Sequence, residues 1–227
     1  MSEAGYVLPP GQRPIGFFPR VGPPRSVRWR PSAPPPIRLA VEGDVEVPCE
    51  ITAEDLAALP RIEQESGLHC VATWSRLGIR WGGWRFRDLY ESIIVPRAHP
   101  LAGAGWLCFR GLDGYASTLA LDDALVDDVL IADSLDGKPL PLEHGLPLRL
   151  VAPTHYGYKS VKHLAVIEPR STFQPQRIRF IGFVEHPRGR VAVEERGADS
   201  PGWAVSILRR FYQTPFLAIL LRLFRRR

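Results

Sequence analysis

Cysteine is scarce in this sequence, and its scarcity excludes two ways of stabilising a small domain. The 227 residues include three cysteines, Cys49, Cys70 and Cys108. A small, odd number of cysteines does not support a disulfide framework. No CxxC pair occurs, and no cysteine–histidine pair has the spacing of a zinc site. The fold must therefore depend on a hydrophobic core.

Long apolar runs are missing as well. The first 30 residues hold no apolar segment like that of a secretory signal peptide. No apolar run reaches the roughly 18 residues that a membrane-spanning helix needs. We therefore expect a cytoplasmic protein. The P-loop and GxGxxG patterns are also absent from the sequence, so neither kind of nucleotide site is indicated.

The remaining composition is that of an ordinary globular protein with a basic end. Apolar residues make up 45% and charged residues 23% of the chain, which is enough for a sizeable core. The formal net charge is +5, and the excess comes from arginines near the C-terminus. Without them the body is nearly neutral, so we expect no nucleic-acid partner. These arginines are Arg209, Arg210, Arg222, Arg225, Arg226 and Arg227.

Proline is abundant, and its distribution indicates the domain organisation. Many of the 23 prolines lie in the first 36 residues, where a fixed φ and a missing amide donor favour an extended chain. We predict an extended Pro/Arg-rich arm at 1–36. The main domain is predicted at 37–175. A C-terminal extension with a hairpin and a basic amphipathic helix is predicted at 176–227.

Short strand patterns and short helix patterns follow one another along the main domain, which predicts an α+β fold. Thr52, three residues before Asp55, predicts the N-terminal cap of a short helix. Residues 177–184 and 189–195 are expected to pair as a last hairpin. Glycine-containing pairs predict turns at Gly43-Asp44, Gly82-Gly83, Asp113-Gly114 and Asp136-Gly137.

Cys70 is the first residue that could carry chemistry. It follows His69 in the apolar segment GLHCVATWS, at 67–75. A thiolate can act as a nucleophile or bind a soft metal. A free cysteine, however, is among the most buried residue types. From this residue alone, simple packing is the favoured interpretation.

The segment THYGYKSVK, at 154–162, is the second candidate, together with Arg149 before it. Its cations, hydroxyls and backbone amides suit a phosphate group, although a solvated basic loop between two strands fits equally well. Tyr115 could present its hydroxyl to a pocket, or it could pack with a solvated tip. His144 could be a ligand or a proton shuttle, or a loop histidine bonded to backbone.

A series of short motifs links these candidates: LPPGQ at 8–12, FFPR at 17–20, LHCVATWS at 68–75, WGGWRFRDLYE at 81–91, LDGYAST at 112–118, LDGKPLPLEHGLPLRLVAP at 135–153 and YGYKSVKHLAVIE at 156–168. Together they resemble the molybdopterin-binding domain of the sulfite oxidase family, most of all its compact bacterial members without a haem domain. The resemblance covers roughly residues 8–170. It implies a mixed-sheet α+β fold with short helices. The amphipathic helical tail is predicted from its own sequence and is not part of the resemblance.

The resemblance also implies roles at the metal. Cys70 corresponds to the single thiolate ligand of molybdenum. Tyr115 corresponds to the tyrosine beside the oxo group that the substrate reaches. Arg20 corresponds to an anion-binding arginine near the cofactor.

Further residues correspond to the family's contacts with the pterin, whose phosphate or nucleotide end is held by a basic loop. His144 falls near the pterin. Gly111 corresponds to a position that often carries a hydroxyl, and here it could offer only backbone. The basic loop implicates Arg149, Ser160, Val161 and Lys162.

The cofactor implied is molybdenum–molybdopterin, and the reaction is oxygen-atom transfer to or from a small oxo-anion, S-oxide or N-oxide. The segment VATWS, at 71–75, lacks the arginines that sulfite oxidases usually carry there, which disfavours sulfite. No haem motif occurs, so a separate electron-transfer partner is expected. The alternative is a non-catalytic cofactor-binding or assembly protein of the same fold, acting through its basic tail.

The tail at 203–227 lies beyond the resemblance. Apolar residues there are interrupted by arginines, and Pro215 should kink or divide any helix. A basic amphipathic helix, peripheral to an anionic membrane, is one interpretation. Docking to a partner subunit is a second, and packing on its own domain is a third.

Overall fold

The structure is a computed structural model that describes residues 7–19, 26, 28–175, 177–178 and 183–198. Within these ranges, thirteen strands, most of them short, form the body of the fold. In chain order the strands are β1 (Arg13–Pro14), β2 (Arg38–Val41), β3 (Cys49–Thr52), β4 (Arg61–His69), β5 (Trp74–Arg85), β6 (Trp106–Gly111), β7 (Ala116–Ala120), β8 (Leu130–Leu135), β9 (Lys138–Pro139), β10 (Arg149–Val151), β11 (Leu164–Arg170), β12 (Arg177–Ile178) and β13 (Phe183–Val184).

These strands are arranged in two mixed sheets and one short pair. The first sheet has the order β1-β5-β8-β10, with β4 also beside β5 and β9 beside β8. The second has the order β3-β2-β11-β6-β7. Each sheet contains one parallel pair, β1–β5 in the first and β2–β11 in the second, and its other pairs are antiparallel.

The helices are short. The predicted cap at Thr52 is confirmed, because its hydroxyl accepts from the Asp55 amide while its own amide donates to the Asp55 carboxylate at 2.8 Å. None of the helices in the described ranges is long and apolar enough to cross a membrane. The helices whose bounds lie in the described ranges are α1 (Ala53–Ala57), α2 (Phe86–Leu89), a π-helical turn (Tyr90–Ile94), α3 (Val95–Ala98), α4 (Leu121–Ala124) and a 3₁₀ turn (Leu142–His144).

One hydrophobic core joins the two sheets. It contains buried residues of the first sheet, such as Ile131 and Leu150, and of the second, such as Leu39 and Phe109. Phe86 of α2 packs edge-on against Phe109, with ring centroids 5.2 Å apart. Mixed sheets packed with short helices confirm the predicted α+β class.

The turn predicted at Gly82-Gly83 is wrong, because both glycines lie inside β5. The pairing register between β5 and β8 shifts at this point. A Cβ on Gly83 would stand 2.1 Å from the Ile131 carbonyl oxygen, so only glycine allows β8 to approach this closely. The glycine pair therefore serves a bulge between two strands and not a change of chain direction.

Both flanking segments contact the main domain. In the arm, β1 pairs with the start of β5. The expected pairing of 177–184 with 189–195 is wrong, because β12 and β13 pair within 177–184 and residues 190–194 form a bridge and a turn. The domain boundaries remain predictions. The tail at 203–227 lies outside the described residues, so its peripheral membrane contact, like the cytoplasmic location, remains a prediction.

A buried ion pair fastens the C-terminal segment 183–198 to the domain. Lys159 Nζ lies 2.9 Å from Glu185 Oε1, and both side chains are fully buried. The ammonium also donates to the Pro187 carbonyl at 2.9 Å. The Thr118 amide donates to the Glu185 carboxylate at 2.9 Å. These bonds connect the loop 154–162, strand β7 and the C-terminal segment.

We expect Lys159→Met to lower the free energy of unfolding by about 3–5 kcal/mol, because it leaves the Glu185 carboxylate buried without its cation. The double variant Lys159→Met/Glu185→Leu should recover part of that loss, since both buried charges are then removed. Denaturant unfolding followed by circular dichroism measures both changes. Arg38→Met, which breaks an exposed ion pair with Glu50, is the control and should cost less than about 1 kcal/mol. A Lys159→Met cost no larger than the control would contradict this account.

Candidate cofactor site

Cys70 lies in the four-residue turn 70–73 between β4 and β5. The Cys70 amide donates to the Trp74 carbonyl at 2.8 Å, and the Thr73 amide donates to the Cys70 carbonyl at 3.0 Å. Thr73 adopts a left-handed conformation, with φ of 73°, which is uncommon for a β-branched residue. The Cys70 side chain is half-buried against Trp74 and accepts a hydrogen bond from the Ala72 amide at 3.5 Å. Cys70 therefore lies at the tip of a tight hairpin and not within a strand of the hydrophobic core.

The surroundings of the Cys70 sulfur favour the neutral thiol in the cofactor-free protein. Burial raises the pKa of Cys70 to about 11, against smaller lowering effects of the Ala72 amide and the Arg196 charge. A bound soft cation would replace the thiol proton, because the thiolate is the metal-binding form.

A chain of hydrogen bonds runs from the arm to the Cys70 turn. Gln12 Nε2 donates to the Cys70 carbonyl at 3.2 Å, and Gln12 Oε1 accepts from the Ser75 hydroxyl at 3.1 Å. Ser75 Oγ lies 2.7 Å from His69 Nδ1. Because Ser75 gives its proton to Gln12, His69 donates through Nδ1. Burial lowers the pKa of His69 to about 4, so this histidine is neutral.

A second contact reaches the Cys70 turn from the C-terminal segment. Arg196 Nη1 donates to the Val71 carbonyl, and its guanidinium lies over the Tyr156 ring at 5.2 Å from the centroid. Gln12 lies in LPPGQ, one of the motifs that carry the family resemblance. Arg196 belongs to no motif, so the sequence offered no signal for its place beside Cys70.

The loop 154–162 begins at the Cys70 turn. The Gly157 amide donates to the His69 carbonyl at 2.6 Å. A Cβ on Gly157 would lie 3.0 Å from Leu68 and 3.3 Å from the His69 oxygen, so glycine permits this close approach. The Tyr115 hydroxyl donates to the Tyr158 carbonyl at 2.6 Å. Burial raises the pKa of Tyr115 well above its usual value, so the hydroxyl keeps its proton.

The same loop ends beside Arg149. The Ser160 hydroxyl accepts from the Ala152 amide at 3.1 Å, and the Val161 carbonyl accepts from the Leu150 amide at 2.8 Å. Lys162 Nζ donates to the Glu143 carbonyl at 2.9 Å. Ser160 and Val161 thus fix the end of the loop along β10. Lys162 places a charge next to His144.

Arg149 is a buried cation, and it forms no ion pair with the described residues. It is 1% exposed, donates from Nη1 to the His144 carbonyl at 2.9 Å and lies over the Trp81 ring at 4.8 Å from the centroid. Its Nε is buried and has no hydrogen-bond partner in the described part of the chain. Burial lowers the pKa of Arg149 to about 9, so the guanidinium stays charged at neutral pH. A phosphate would supply both the missing charge and the missing acceptor.

Phe18 of the arm closes this end of the site. Its ring stacks on His144 with centroids 4.1 Å apart and an interplanar angle of 17°. The Arg149 guanidinium lies 6.0 Å from the same Phe18 ring. A buried cation beside two stacked rings suits a flat, anionic cofactor.

Gly111 and Arg20 are the two remaining predicted contacts of the cofactor. A Cβ on Gly111 would stand 2.3 Å from the Lys162 carbonyl oxygen, so this position cannot carry the family's usual hydroxyl side chain. The Gly111 amide donates to Tyr115 O at 2.8 Å, and its carbonyl accepts from Gly114 N at 2.9 Å, so both backbone groups are used in the turn. Arg20 lies outside the described residues, and its role remains a prediction.

A family model described as oxidoreductase molybdopterin binding domain matches residues 28–177. This chain belongs to that family. The match includes Cys70, Tyr115 and the stretch from His144 to Lys162. The Cys70 turn and Tyr115 both contact the loop 154–162, which lies in that stretch. The family expected from the motifs, its fold and its molybdopterin cofactor are therefore confirmed.

Curated relatives of this molybdopterin-binding chain include oxidoreductases. The uncharacterised oxidoreductase YuiH of Bacillus subtilis is 39% identical over 57% of this chain and 63% of its own length. The protein-methionine-sulfoxide reductase catalytic subunit MsrP of Campylobacter jejuni is 29% identical over 71% of this chain and 62% of its own length. MsrP of Gluconobacter oxydans is 31% identical over 71% and 59%. This chain thus matches less than two thirds of the length of each of these relatives.

A solved structure shows the same fold. The sulfane dehydrogenase SoxCD of Paracoccus pantotrophus matches with a TM-score of 0.50 and 24% identity, over 60% of this chain and 38% of its own. At this identity the likeness concerns the arrangement of the sheets.

We expect Arg149→Met to leave the cofactor-free protein at least as stable as wild type, because a buried charge without an ionic partner is replaced by an apolar side chain. The same variant should lose most of the stabilisation that the bound cofactor gives, since the anchor for the phosphate is gone. Thermal unfolding of cofactor-free and cofactor-loaded protein measures both effects. Arg61→Met, at the far end of β4, is the control and should keep the shift in Tm on loading. An equal shift in Arg149→Met would show that Arg149 does not bind the cofactor.

Proposed function

We propose that this protein is a molybdopterin-dependent oxidoreductase that transfers an oxygen atom to or from a small substrate, with the Cys70 thiolate as the ligand of molybdenum. The observation that carries the proposal is the loop 154–162, which contacts the Cys70 turn near its start and lies beside Arg149 at its end. A soft thiolate suits molybdenum. A buried guanidinium with an unused donor suits a pterin phosphate.

Bound molybdenum would supply the two-electron exchange that oxygen-atom transfer needs, and the protein supplies binding and orientation. Arg149 would donate from Nε to the phosphate, with the charge of Lys162 and the ring of His144 beside it. Cys70 would present its sulfur from a turn held by hydrogen bonds on both sides. Tyr115 is a hydroxyl donor, because its raised pKa keeps the proton in place.

We propose the reduction of an S-oxide as the direction of the reaction. Two of the relatives named above, the MsrP proteins, are named as reductases of methionine sulfoxide in proteins. In this reaction the sulfur–oxygen bond breaks, two electrons and two protons are taken up, and a sulfide and water are released. The electrons would come from a separate electron-transfer partner. The Tyr115 hydroxyl would polarise the departing oxygen once it turns from the Tyr158 carbonyl to the substrate.

Steady-state turnover tests this proposal. Cofactor-loaded protein is mixed with reduced benzyl viologen and methionine sulfoxide, and viologen oxidation is compared with sulfide formation. Because reduced viologen donates one electron, we expect two viologens to be oxidised for each methionine formed. A protein that holds molybdenum and pterin but turns over no S-oxide, N-oxide or oxo-anion would favour a cofactor-binding or assembly role.

Tyr115→Phe should lower kcat by about 100-fold, the lower end of what a positioned proton donor contributes. Molybdenum and pterin contents should stay at the wild-type level. The hydroxyl that is removed donates to the Tyr158 carbonyl and contacts neither Cys70 nor Arg149. Tyr90→Phe removes a tyrosine hydroxyl from the π-helical turn and should keep wild-type turnover. If Tyr115→Phe reduces the sulfoxide at the wild-type rate, Tyr115 is not the donor.

A further inference from the structure

The Cys70 turn is held by two residues that lie outside the family match. Gln12 precedes residue 28 and Arg196 follows residue 177, the limits of that match. Gln12 bonds the Cys70 carbonyl, and Arg196 bonds the Val71 carbonyl. These are the first two peptide groups after the ligand cysteine. Each is therefore tied to a different flanking segment of the chain.

Arg196 is fixed in place by the segment that carries it. The Tyr156 amide donates to the Gly189 carbonyl at 2.9 Å, and the Val191 amide donates to the Thr154 carbonyl at 3.0 Å. The buried Lys159–Glu185 pair holds the start of the same segment. Arg196 is 4% exposed, and its planar guanidinium lies across the Tyr156 ring. Its hydrogen bond to the turn is thus made from a rigid support.

Gln12 is supported in the same way from the other side. The Arg13 amide donates to the Thr73 carbonyl at 2.9 Å, and the Ile15 amide donates to the Ser75 carbonyl at 2.9 Å. The Gln12 side chain is nine-tenths buried and is oriented by the Ser75 hydroxyl. The arm therefore delivers one donor to the Cys70 turn in a defined orientation.

We propose that Arg196, together with Gln12, positions the Cys70 sulfur for its metal, so that the two flanking segments are working parts of the site. Fixing the two peptide planes after Cys70 fixes the direction of its Cα–Cβ bond, and the Ala72 amide, which donates to the sulfur at 3.5 Å, favours one rotamer about that bond. Without these bonds, a turn that contains a left-handed Thr73 has alternative conformations available. The inference rests on the proposed ligation by Cys70.

The test uses the full-length, cofactor-loaded protein with Arg196→Met and Arg196→Lys. The electron paramagnetic resonance spectrum of Mo(V) reports the geometry of the thiolate ligand directly. We expect both variants to keep the wild-type pterin content, because Arg149 is untouched, but to show a shifted or heterogeneous Mo(V) signal. We expect kcat to fall about 10–100-fold, as for other residues that orient metal ligands, with a smaller change in KM. Arg196→Lys should not restore the signal, because an ammonium cannot stack across Tyr156 and donate in the same fixed direction.

Arg190→Met is the matched control. It removes an arginine of the same segment whose side chain bonds Glu195 and not the Cys70 turn, so the wild-type Mo(V) signal should remain. Gln12→Met tests the inference from the arm if Arg196→Met fails to fold, and it should shift the signal in the same way.

A wild-type Mo(V) spectrum in the Arg196 and Gln12 variants would overturn this inference. Full recovery in Arg196→Lys would also overturn it, because charge alone would then suffice. A wild-type protein without molybdenum would instead refute the proposed function.

Discussion

The hydrogen bond from the Gly157 amide to the His69 carbonyl brings together the two halves of the site. His69 ends β4, immediately before Cys70, whereas Gly157 lies in the loop that later runs beside Arg149. The bond is 2.6 Å long, and a Cβ on residue 157 would lie 3.0 Å from the Leu68 side chain, so glycine eases this close approach. It sets one end of the loop at the Cys70 turn. The bonds of Ser160 and Val161 to the backbone near β10 set the other end at the buried cation.

The two ends of the site differ in their physical character, and the difference matches the two ends of a metal–pterin cofactor. At one end, a half-buried sulfur of raised pKa lies in a turn of fixed geometry. At the other, Arg149 remains charged although it is buried and forms no ion pair with the described residues. Such a charge weakens the cofactor-free fold. An anion bound at Arg149 would recover this cost, so we expect stability and cofactor loading to be coupled.

Much of the candidate site could be proposed from the sequence, since its residues lie in contiguous motifs. Cys70, Arg149 and Lys162 stand in segments whose order and composition indicate the family. Arg196 could not be assigned, because it lies in no motif and its place depends on where a distant segment packs. Gln12 lies in the motif LPPGQ, but its bond to the Cys70 carbonyl depends on the packing of the arm, which no local pattern gives. The same limit explains the error at Gly82-Gly83. A glycine pair predicts a turn locally, but the close approach of β8 is a tertiary constraint that no local signal carries.

The molybdenum and pterin contents of the purified wild type, Cys70→Ser and Cys49→Ser, measured together with the Mo(V) spectrum, test the central claim most directly. Cys49 lies in β3 and serves as the control for loss of a thiol. The account predicts stoichiometric molybdenum and pterin in the wild type and in Cys49→Ser. In Cys70→Ser it predicts pterin retained through Arg149, with molybdenum lost or its Mo(V) signal altered. Full molybdenum with an unchanged Mo(V) spectrum in Cys70→Ser would contradict the assignment of Cys70 as the ligand.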